Sequence, residues 1–113
     1  MTGFHDFDTY QVEARKTAIY PDLGNNLWYP ALGLTGEAGE VAEKVKKIYR
    51  DQEGKLYSES LNNLIGELGD VLWYVAAMAS ELRLDLSMIA EDNLAKLQSR
   101  AARDKVHGSG DTR

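Results

Sequence analysis

Residues 37–70 read EAGEVAEKVKKIYRDQEGKLYSESLNNLIGELGD, and this stretch decides the fold of the chain. It opens and closes with an acid pair spaced i and i+3, Glu37 with Glu40 and Glu67 with Asp70. A polar turn separates two helical patterns, so each pair is predicted to lie on its own helix. The i, i+3 spacing puts both carboxylates of a pair on one helix face. If the helices pack antiparallel, four carboxylates converge on one patch.

The flanking sequence predicts two further helices, so the fold class is all-α, a bundle of four to five helices in a single domain spanning 1–113. Proline occurs only twice, and the later chain is rich in good helix formers. Capping residues and turn signals give the bounds. The predicted helices run from about Asp6 to Tyr20, with Asp6 or Asp8 as cap; from around Leu27 to Pro30 as far as about Arg50; from Ser58 or Ser60 to about Leu82 or Arg83; and from Asp85 or Ser87 to about Arg103. Residues 104–113 are predicted to form a flexible tail.

The apolar pattern of the third predicted helix favours burial on more than one side. One helical stripe consists of Leu61, Leu64, Ile65, Leu68, Leu72, Val75, Ala79 and Leu82. The run from Val71 to Ala79 has no polar face, and in so short a chain a second subunit is the simplest covering surface. The fourth helix is expected to turn Met88, Ile89, Leu94 and Leu97 inward. We therefore expect oligomerisation to complete the bundle.

Composition excludes several classes of protein. The net charge of −5 argues against general binding of nucleic acid, which usually requires a basic face. The absence of cysteine removes disulfides, thiolate metal sites and a cysteine nucleophile. No signal-peptide pattern opens the chain, and its longest apolar run is too short to span a bilayer, so a soluble cytoplasmic protein without membrane contact is expected. No phosphate-binding loop of the Gly-x-x-x-x-Gly-Lys-Ser/Thr type is present.

The acids can be sorted by the residue four positions further along the helix. Glu40 is followed by Lys44 and Glu43 by Lys47, the spacing of an ordinary exposed ion pair. The acids without such a cation are Glu37, Glu67 and Asp70, which are followed by Val41, Val71 and Tyr74. Carboxylates that are buried without a partner must bind a cation, accept hydrogen bonds or become protonated. Oxygen ligands of this kind favour hard divalent cations, with magnesium as the usual choice where phosphates are handled.

Glycine interleaves both acid pairs. Gly33, Gly36 and Gly39 recur every third residue in the second helix, and Gly66 and Gly69 accompany the second acid pair. Each glycine inside a helix costs about 1 kcal/mol relative to alanine, so the repetition needs a reason. A strip without side chains would let another helix or a ligand come close to the backbone.

Other polar and aromatic residues are candidates for binding a nucleotide. Asn93, Lys96 and Arg100 lie on one face of the fourth helix and offer an amide, an ammonium and a guanidinium group, which suit a phosphate chain. A solvated helix face is the alternative for these three. The side chains that could contact a base are Asn26, Trp28 and Trp73, although packing is the usual fate of such aromatic residues.

These motifs resemble the MazG family within the all-α nucleoside triphosphate pyrophosphohydrolases, a superfamily that includes dimeric dUTPases. The resemblance rests on Glu37-x-x-Glu40 followed after 26 residues by Glu67-x-x-Asp70, on the sequences GEAGEVAEK and ELGDVLWY around them, and on Asn93 to Arg100. The tail Gly108 to Arg113 is similar to that of small bacterial and phage members.

The resemblance implies hydrolysis of nucleoside triphosphates between the α and β phosphates, giving a monophosphate and pyrophosphate, for nucleotide-pool control or house-cleaning. It implies two or more Mg²⁺ ions per site, with Mn²⁺ as a substitute, held by Glu37, Glu40, Glu67 and Asp70. Glu37 or Glu40 would activate the attacking water, while Asn93, Lys96 and Arg100 would hold metal and phosphate. A homodimer or homotetramer is implied, in which the tail, including Arg113, could cover the neighbouring site.

Three alternatives stay open at this point. The chain could be a member specialised on dUTP, dCTP or a modified nucleotide, it could be a non-catalytic helical oligomerisation module, or it could be a phosphate-chain hydrolase that acts on alarmone-type nucleotides. The four intact acids count against the second alternative, because a module that binds no metal has little use for uncompensated buried carboxylates.

Overall fold

The computed structural model describes residues 6–103, which form four α-helices and no strand. The helices are α1 (Phe7–Arg15), α2 (Trp28–Gln52), α3 (Ser58–Glu81) and α4 (Leu86–Ala102). The all-α prediction is confirmed. The tail from 104 onward, with the predicted role of Arg113, lies outside the described residues.

Helix α1 begins as predicted but ends at Arg15, five residues before the predicted end at Tyr20. Asp6 is its cap, and its carboxylate accepts a hydrogen bond from the Thr9 amide at 2.7 Å. The chain then leaves the helix in a turn in which the Thr17 hydroxyl donates to the Ala14 carbonyl at 2.7 Å. Pro21 disfavours a helical conformation for Tyr20, which is buried. The burial of Tyr20 and the following Pro21 therefore favour a non-helical chain here, and α1 ends earlier than predicted.

The predicted caps of the two later helices are only partly correct. Helix α3 begins after Tyr57 without a side-chain cap, because Ser60 is buried and donates to Gln52 at 2.7 Å instead. Asp85 occupies the N-cap position of α4, but its side chain makes no capping hydrogen bond. The cap of α4 comes from α1, where Asp8 accepts hydrogen bonds from both the amide and the hydroxyl of Ser87.

Helices α2 and α3 form an antiparallel hairpin, and α1 packs across α3. An aromatic cluster fills the space where these helices and the loop 16–27 meet. Tyr20 stacks on Tyr29 with ring centroids 4.6 Å apart, and Trp73 meets Tyr74 edge to face at 5.0 Å. The indole nitrogen of Trp73 donates to Thr17 at 2.8 Å, which fixes α3 against the end of α1. Pro30 is fully buried in the first turn of α2, where its missing N–H costs no helix hydrogen bond.

Much of the predicted apolar stripe stays exposed in one chain. Ala79 is buried, but Leu61, Ile65, Leu68 and Leu82 are all at least 48% exposed. Three of the four predicted inward positions of α4 are also wrong for a single chain, since Met88, Leu94 and Leu97 are exposed, whereas Ile89 is half-buried. The reason is that α4 packs against α1 and not across the α2–α3 hairpin. Within residues 6–103, no helix combines the length and the apolar character needed to cross a membrane.

Candidate functional site

Three carboxylates meet in the middle of the α2–α3 hairpin. One oxygen atom from each of Glu37, Glu67 and Asp70 lies within 4.8 Å of the other two. The antiparallel pairing brings Glu37 of α2 opposite the Glu67-x-x-Asp70 turn of α3, and the i, i+3 spacing aligns the α3 acids on one face. These are the three acids that have no cation four residues further along their helix, and the structure brings them together.

The electrostatics of this cluster favour an added positive charge. Partial burial, a hydrogen bond with Glu67 and the negative charges of Asp70, Glu67 and Glu40 raise the pKa of Glu37. Within the described part of the chain, no lysine or arginine forms an ion pair with any of the three acids. An all-oxygen, anionic donor set from two rigid helices suits Mg²⁺ or Mn²⁺, so the residues present fit a divalent metal site.

Glu40 and Glu43 separate clearly from the cluster. Glu43 forms ion pairs with Lys46 at 3.1 Å and Lys47 at 3.7 Å, and the Lys46 hydrogen bond lowers its pKa. Its predicted surface role is therefore confirmed. Glu40 is exposed and lies outside the group of three, although its charge acts on Glu37. Among residues 6–103 it forms no ion pair with Lys44, and its role as a metal ligand stays a prediction.

The glycines beside the acids differ in what surrounds them. A Cβ atom on Gly33 would collide with the ring of Tyr74, so the predicted close approach occurs at this position. Gly36, Gly39, Gly66 and Gly69 have open space where a Cβ would lie. The four positions therefore leave the surface around the acids uncovered in one chain.

Tyr74 lies beside the acid cluster, whereas from the sequence it was one of several aromatic residues that could stack on a base, with packing as the usual fate. Its ring lies over Gly33 and it is located one helical turn beyond Asp70. Partial burial, the neighbouring Tyr29 and the negative charge of Glu37 raise the pKa of Tyr74, so its hydroxyl keeps its proton beside the acids. The pairing of a helix glycine with an aromatic residue on the opposing helix could have indicated this contact.

The predicted phosphate-binding residues lie on α4, a different helix from those that carry the acid cluster. Asn93 is exposed, Lys96 is half-buried and Arg100 is buried, all on α4. Lys96 and Arg100 line a cleft of about 260 Å³ together with Arg103. Helix α4 packs mainly against α1, and the binding role of this basic cleft stays a prediction.

The three candidate base-binding residues have different surroundings. Trp28 is 79% exposed at the start of α2 and lines a cleft of about 340 Å³. The Asn26 side chain accepts a hydrogen bond from the Tyr29 amide at 3.0 Å and donates to the Pro21 carbonyl at 2.8 Å, so both its ends are engaged in the loop. Trp73 is held in the aromatic cluster. Trp28 is the most solvent-exposed of the three side chains.

Sequence reasoning missed Glu81, the carboxylate that holds this loop. Its side chain is 1% exposed and accepts hydrogen bonds from the Gly24 amide at 2.9 Å and the Asn26 amide at 2.8 Å. Arg15 contacts the same carboxylate at 2.8 Å. No local pattern marks Glu81, because its partners lie more than fifty residues away in sequence.

Comparison with known proteins agrees with this geometry. Residues 30–103 match the MazG nucleotide pyrophosphohydrolase domain, a range that contains both acid pairs and α4. The chain is also similar to the Gene 37 protein of Mycobacterium phage L5, with 50% identity over 111 residues, covering 94% of this chain and 97% of the phage protein. No solved structure matches the chain. A family match over most of the chain, together with three converging acids on the matched helices, shows that this protein belongs to the MazG nucleotide pyrophosphohydrolase family.

Proposed function

We propose that this protein hydrolyses nucleoside or deoxynucleoside triphosphates between the α and β phosphates, releasing a nucleoside monophosphate and pyrophosphate in the cytoplasmic nucleotide pool. The observation that carries the proposal is the cluster of Glu37, Glu67 and Asp70, with oxygen atoms within 4.8 Å and no basic partner among the described residues. The family membership of the matched range supports the same class of reaction.

In this proposal the chain's own residues bind and orient the reactants. Glu37, Glu67 and Asp70, with Glu40 beside them, would hold two or more Mg²⁺ ions. Such ions supply neutralising charge for the phosphate oxygens and acidify a bound water. Glu37 or Glu40 would position the attacking water and accept its proton. On α4, Asn93, Lys96 and Arg100 would bind the phosphate chain as amide, ammonium and guanidinium donors.

The exposed apolar residues on α3 and α4 support a second copy as partner. A homodimer or homotetramer would cover these residues and could bring α4 of one copy to the acids of another. Base preference would depend on side chains such as Trp28, so a dUTP-, dCTP- or modified-nucleotide-specific activity is a form of the same proposal.

The test is pyrophosphate release from a panel of canonical, uracil-containing and modified triphosphates with Mg²⁺, using phosphorus NMR to identify the products. We expect Glu37→Gln and Asp70→Asn each to lower kcat/KM by more than about 100-fold, the scale of losing one group that stabilises transition-state charge. Glu43→Gln is the matched control, because it removes an ion-paired acid from the same helix and should leave activity within about twofold.

A second readout is independent of turnover. Mg²⁺ should raise the thermal midpoint of the wild-type protein and of Glu43→Gln but not of Asp70→Asn, because only the intact cluster binds the ion in the folded state. Activity that survives in both cluster variants would contradict the site assignment. If no triphosphate in the panel is cleaved, the proposed reaction is wrong and a non-catalytic helical module becomes the better interpretation.

A further inference from the structure

A polar cleft opens between α2 and α3, the two helices that carry the acid cluster. It has a volume of about 160 Å³, lies near the turn that joins α2 to α3, and is lined by Lys44, Lys47, Ile48, Asp51, Gln52, Ser60 and Asn63. Lys44 follows Glu37 by seven residues, and Asn63 precedes Asp70 by seven. Seven residues are close to two helical turns, so these side chains share the faces that carry the acids, about 10 Å along the groove.

The charges in this cleft leave one ammonium group uncompensated. Lys44 is half-buried and forms no ion pair with any residue in the range 6–103. Lys47 lies 3.7 Å from Glu43, a distance that leaves its ammonium group able to turn toward another anion. The acid in the cleft, Asp51, is itself neutralised, because Arg50 contacts both of its carboxylate oxygens at 2.7 and 2.9 Å.

Two of the residues that line the cleft are hydrogen-bonded to each other. The Ser60 hydroxyl donates to the Gln52 side chain at 2.7 Å, and Ser60 is buried. The Ser60 hydroxyl and the Gln52 carbonyl oxygen satisfy each other, so the donors that remain for a ligand are the lysine ammonium groups and the side-chain amide nitrogens of Asn63 and Gln52. That set binds anions and suits phosphate oxygens in particular.

We propose that Lys44 and Asn63, with Lys47 at the rim, form the subsite for the phosphate groups that leave as pyrophosphate. The inference rests on the proposed function, since it divides the triphosphate between two parts of one groove. The acid cluster repels a polyphosphate unless cations intervene, and Lys44 supplies fixed positive charge on the same helix face two turns away. The nucleoside end would then lie on the other side of the acids, toward Trp28 and Tyr74.

The experiment is calorimetric titration of inorganic pyrophosphate, with Mg²⁺ present, into the full-length protein and its variants. We expect Lys44→Gln to weaken pyrophosphate binding about tenfold, the effect of losing one charge-assisted hydrogen bond of roughly 1.4 kcal/mol. Lys44→Arg should recover most of that loss because it keeps the charge. Lys46→Gln is the matched control, since Lys46 carries the same charge on α2 but lies outside the cleft, and it should bind pyrophosphate like the wild type.

A parallel titration with nucleoside monophosphate separates this subsite from a general effect on the site. Lys44→Gln should leave monophosphate affinity within about twofold, because the charge removed lies about one Debye length or more beyond the acids. Equal pyrophosphate affinity in Lys44→Gln and wild type would overturn the proposal, as would an equal loss for both products or a wild-type protein that binds no pyrophosphate.

The outcomes also separate this inference from the proposed reaction. If no triphosphate is cleaved but pyrophosphate binding depends on Lys44, the reaction is wrong and the anion subsite is supported. If triphosphates are cleaved and Lys44→Gln changes neither KM nor the pyrophosphate inhibition constant, the reaction is supported and the subsite is overturned.

Discussion

Glu81 carries a buried negative charge that ties three parts of the chain together. Its carboxylate accepts hydrogen bonds from Arg15 at the end of α1, from the Tyr20 hydroxyl, and from the Gly24 and Asn26 amides of the loop. Burial alone would raise its pKa, but the hydrogen bonds from Asn26, Tyr20, Arg15 and Gly24 outweigh burial and lower the pKa of Glu81 to about 2. The folded protein therefore binds this proton far more weakly than the unfolded chain does.

This pKa shift predicts that the free energy of unfolding falls at acid pH, a decrease called the acid limb below. Because the folded pKa of about 2 lies below the ordinary value of 4.5, the stabilisation is complete above pH 4.5 and is lost as the pH falls toward 2. The contribution is on the order of 3 kcal/mol. Urea unfolding followed by circular dichroism between pH 2 and 7, at fixed protein concentration, measures it.

Glu81→Gln should lower stability at pH 7 and flatten this acid limb, because Arg15 loses its partner and no proton is taken up at this position. Glu13→Gln, which removes an exposed acid paired with Lys16, is the control and should keep the wild-type slope. An acid limb that is as steep in Glu81→Gln as in the wild type would show that other carboxylates dominate it.

Single residues were predictable where the signal was local. Sorting the acids by the residue at i+4 separated Glu37, Glu67 and Asp70 from Glu43. It succeeded because a lysine at i+4 lies one turn away on the same helix, so its presence or absence can be read directly from the sequence. Glu81 could not be found this way, since its donors reach it only after α1 and the loop fold onto α3. The i+4 sorting also misses Tyr74, whose signal is the pairing of Gly33 with an aromatic residue across the hairpin.

At the scale of elements, helix bounds followed from sequence more closely than helix caps did. Periodicity and turn residues placed α2, α3 and α4 within a few residues, because those signals are properties of the segment itself. The caps of α3 and α4 depend on other helices. Helix α4 begins on acceptors that α1 supplies, with the Leu86 amide donating to Gln11 at 2.8 Å and the Ser87 amide donating to Asp8 at 3.0 Å.

Because α1 supplies the N-cap of α4, a substitution in α1 is predicted to destabilise the start of α4. Asp8→Ala removes the acceptors for the amide and the hydroxyl of Ser87, and we expect a loss of about 1–2 kcal/mol, the range for deleting a helix N-cap. Hydrogen exchange measured by NMR should show faster exchange at Ser87 while the amides in the middle of α3 keep their protection.

The control for this prediction is Glu13→Ala, an acid of α1 that contacts only Lys16 on the surface. It should leave the first turn of α4 protected. Unchanged exchange at Ser87 in Asp8→Ala would mean that the Gln11 contact and α4's own turn are sufficient to hold the helix start.

At the scale of the whole molecule, residues 6–103 leave a large part of their apolar surface exposed. The sequence predicted the apolar stripe of α3 and the inward face of α4, but it could not indicate whether those faces pack within one chain or between two. The hydrophobic pattern indicates which side chains must be buried. Whether they are buried by the same chain or by a second copy depends on the tertiary and quaternary arrangement.

The spacing of the apolar stripe on α3 predicts the geometry of a dimer. The stripe includes Leu61, Ile65, Leu68, Leu72, Val75, Ala79 and Leu82, which alternate steps of four and three, the spacing of a seam between packed helices. Its members at 61, 65, 68 and 82 are exposed in one chain, whereas Ala79 is buried. In a two-fold dimer each substitution enters the interface twice. We therefore expect the wild-type protein to sediment as a dimer or tetramer, and Ile65→Glu to be monomeric at micromolar concentration, because two buried charges would replace two buried side chains each worth about 2 kcal/mol.

The chain offers a matched control for this prediction, because Val12 and Ile65 are both β-branched and both 59% exposed. Val12 lies on α1, outside the α3 seam, so Val12→Glu adds the same charge without entering the interface and should keep the wild-type mass in sedimentation velocity. A wild-type monomer would contradict the dimer, and loss of assembly in both variants would move the interface to α1. If Ile65→Glu alone gives the monomer, its catalytic rate shows whether α4 acts on the acids of its own chain or on those of its partner, since only an intersubunit site loses activity when the copies separate.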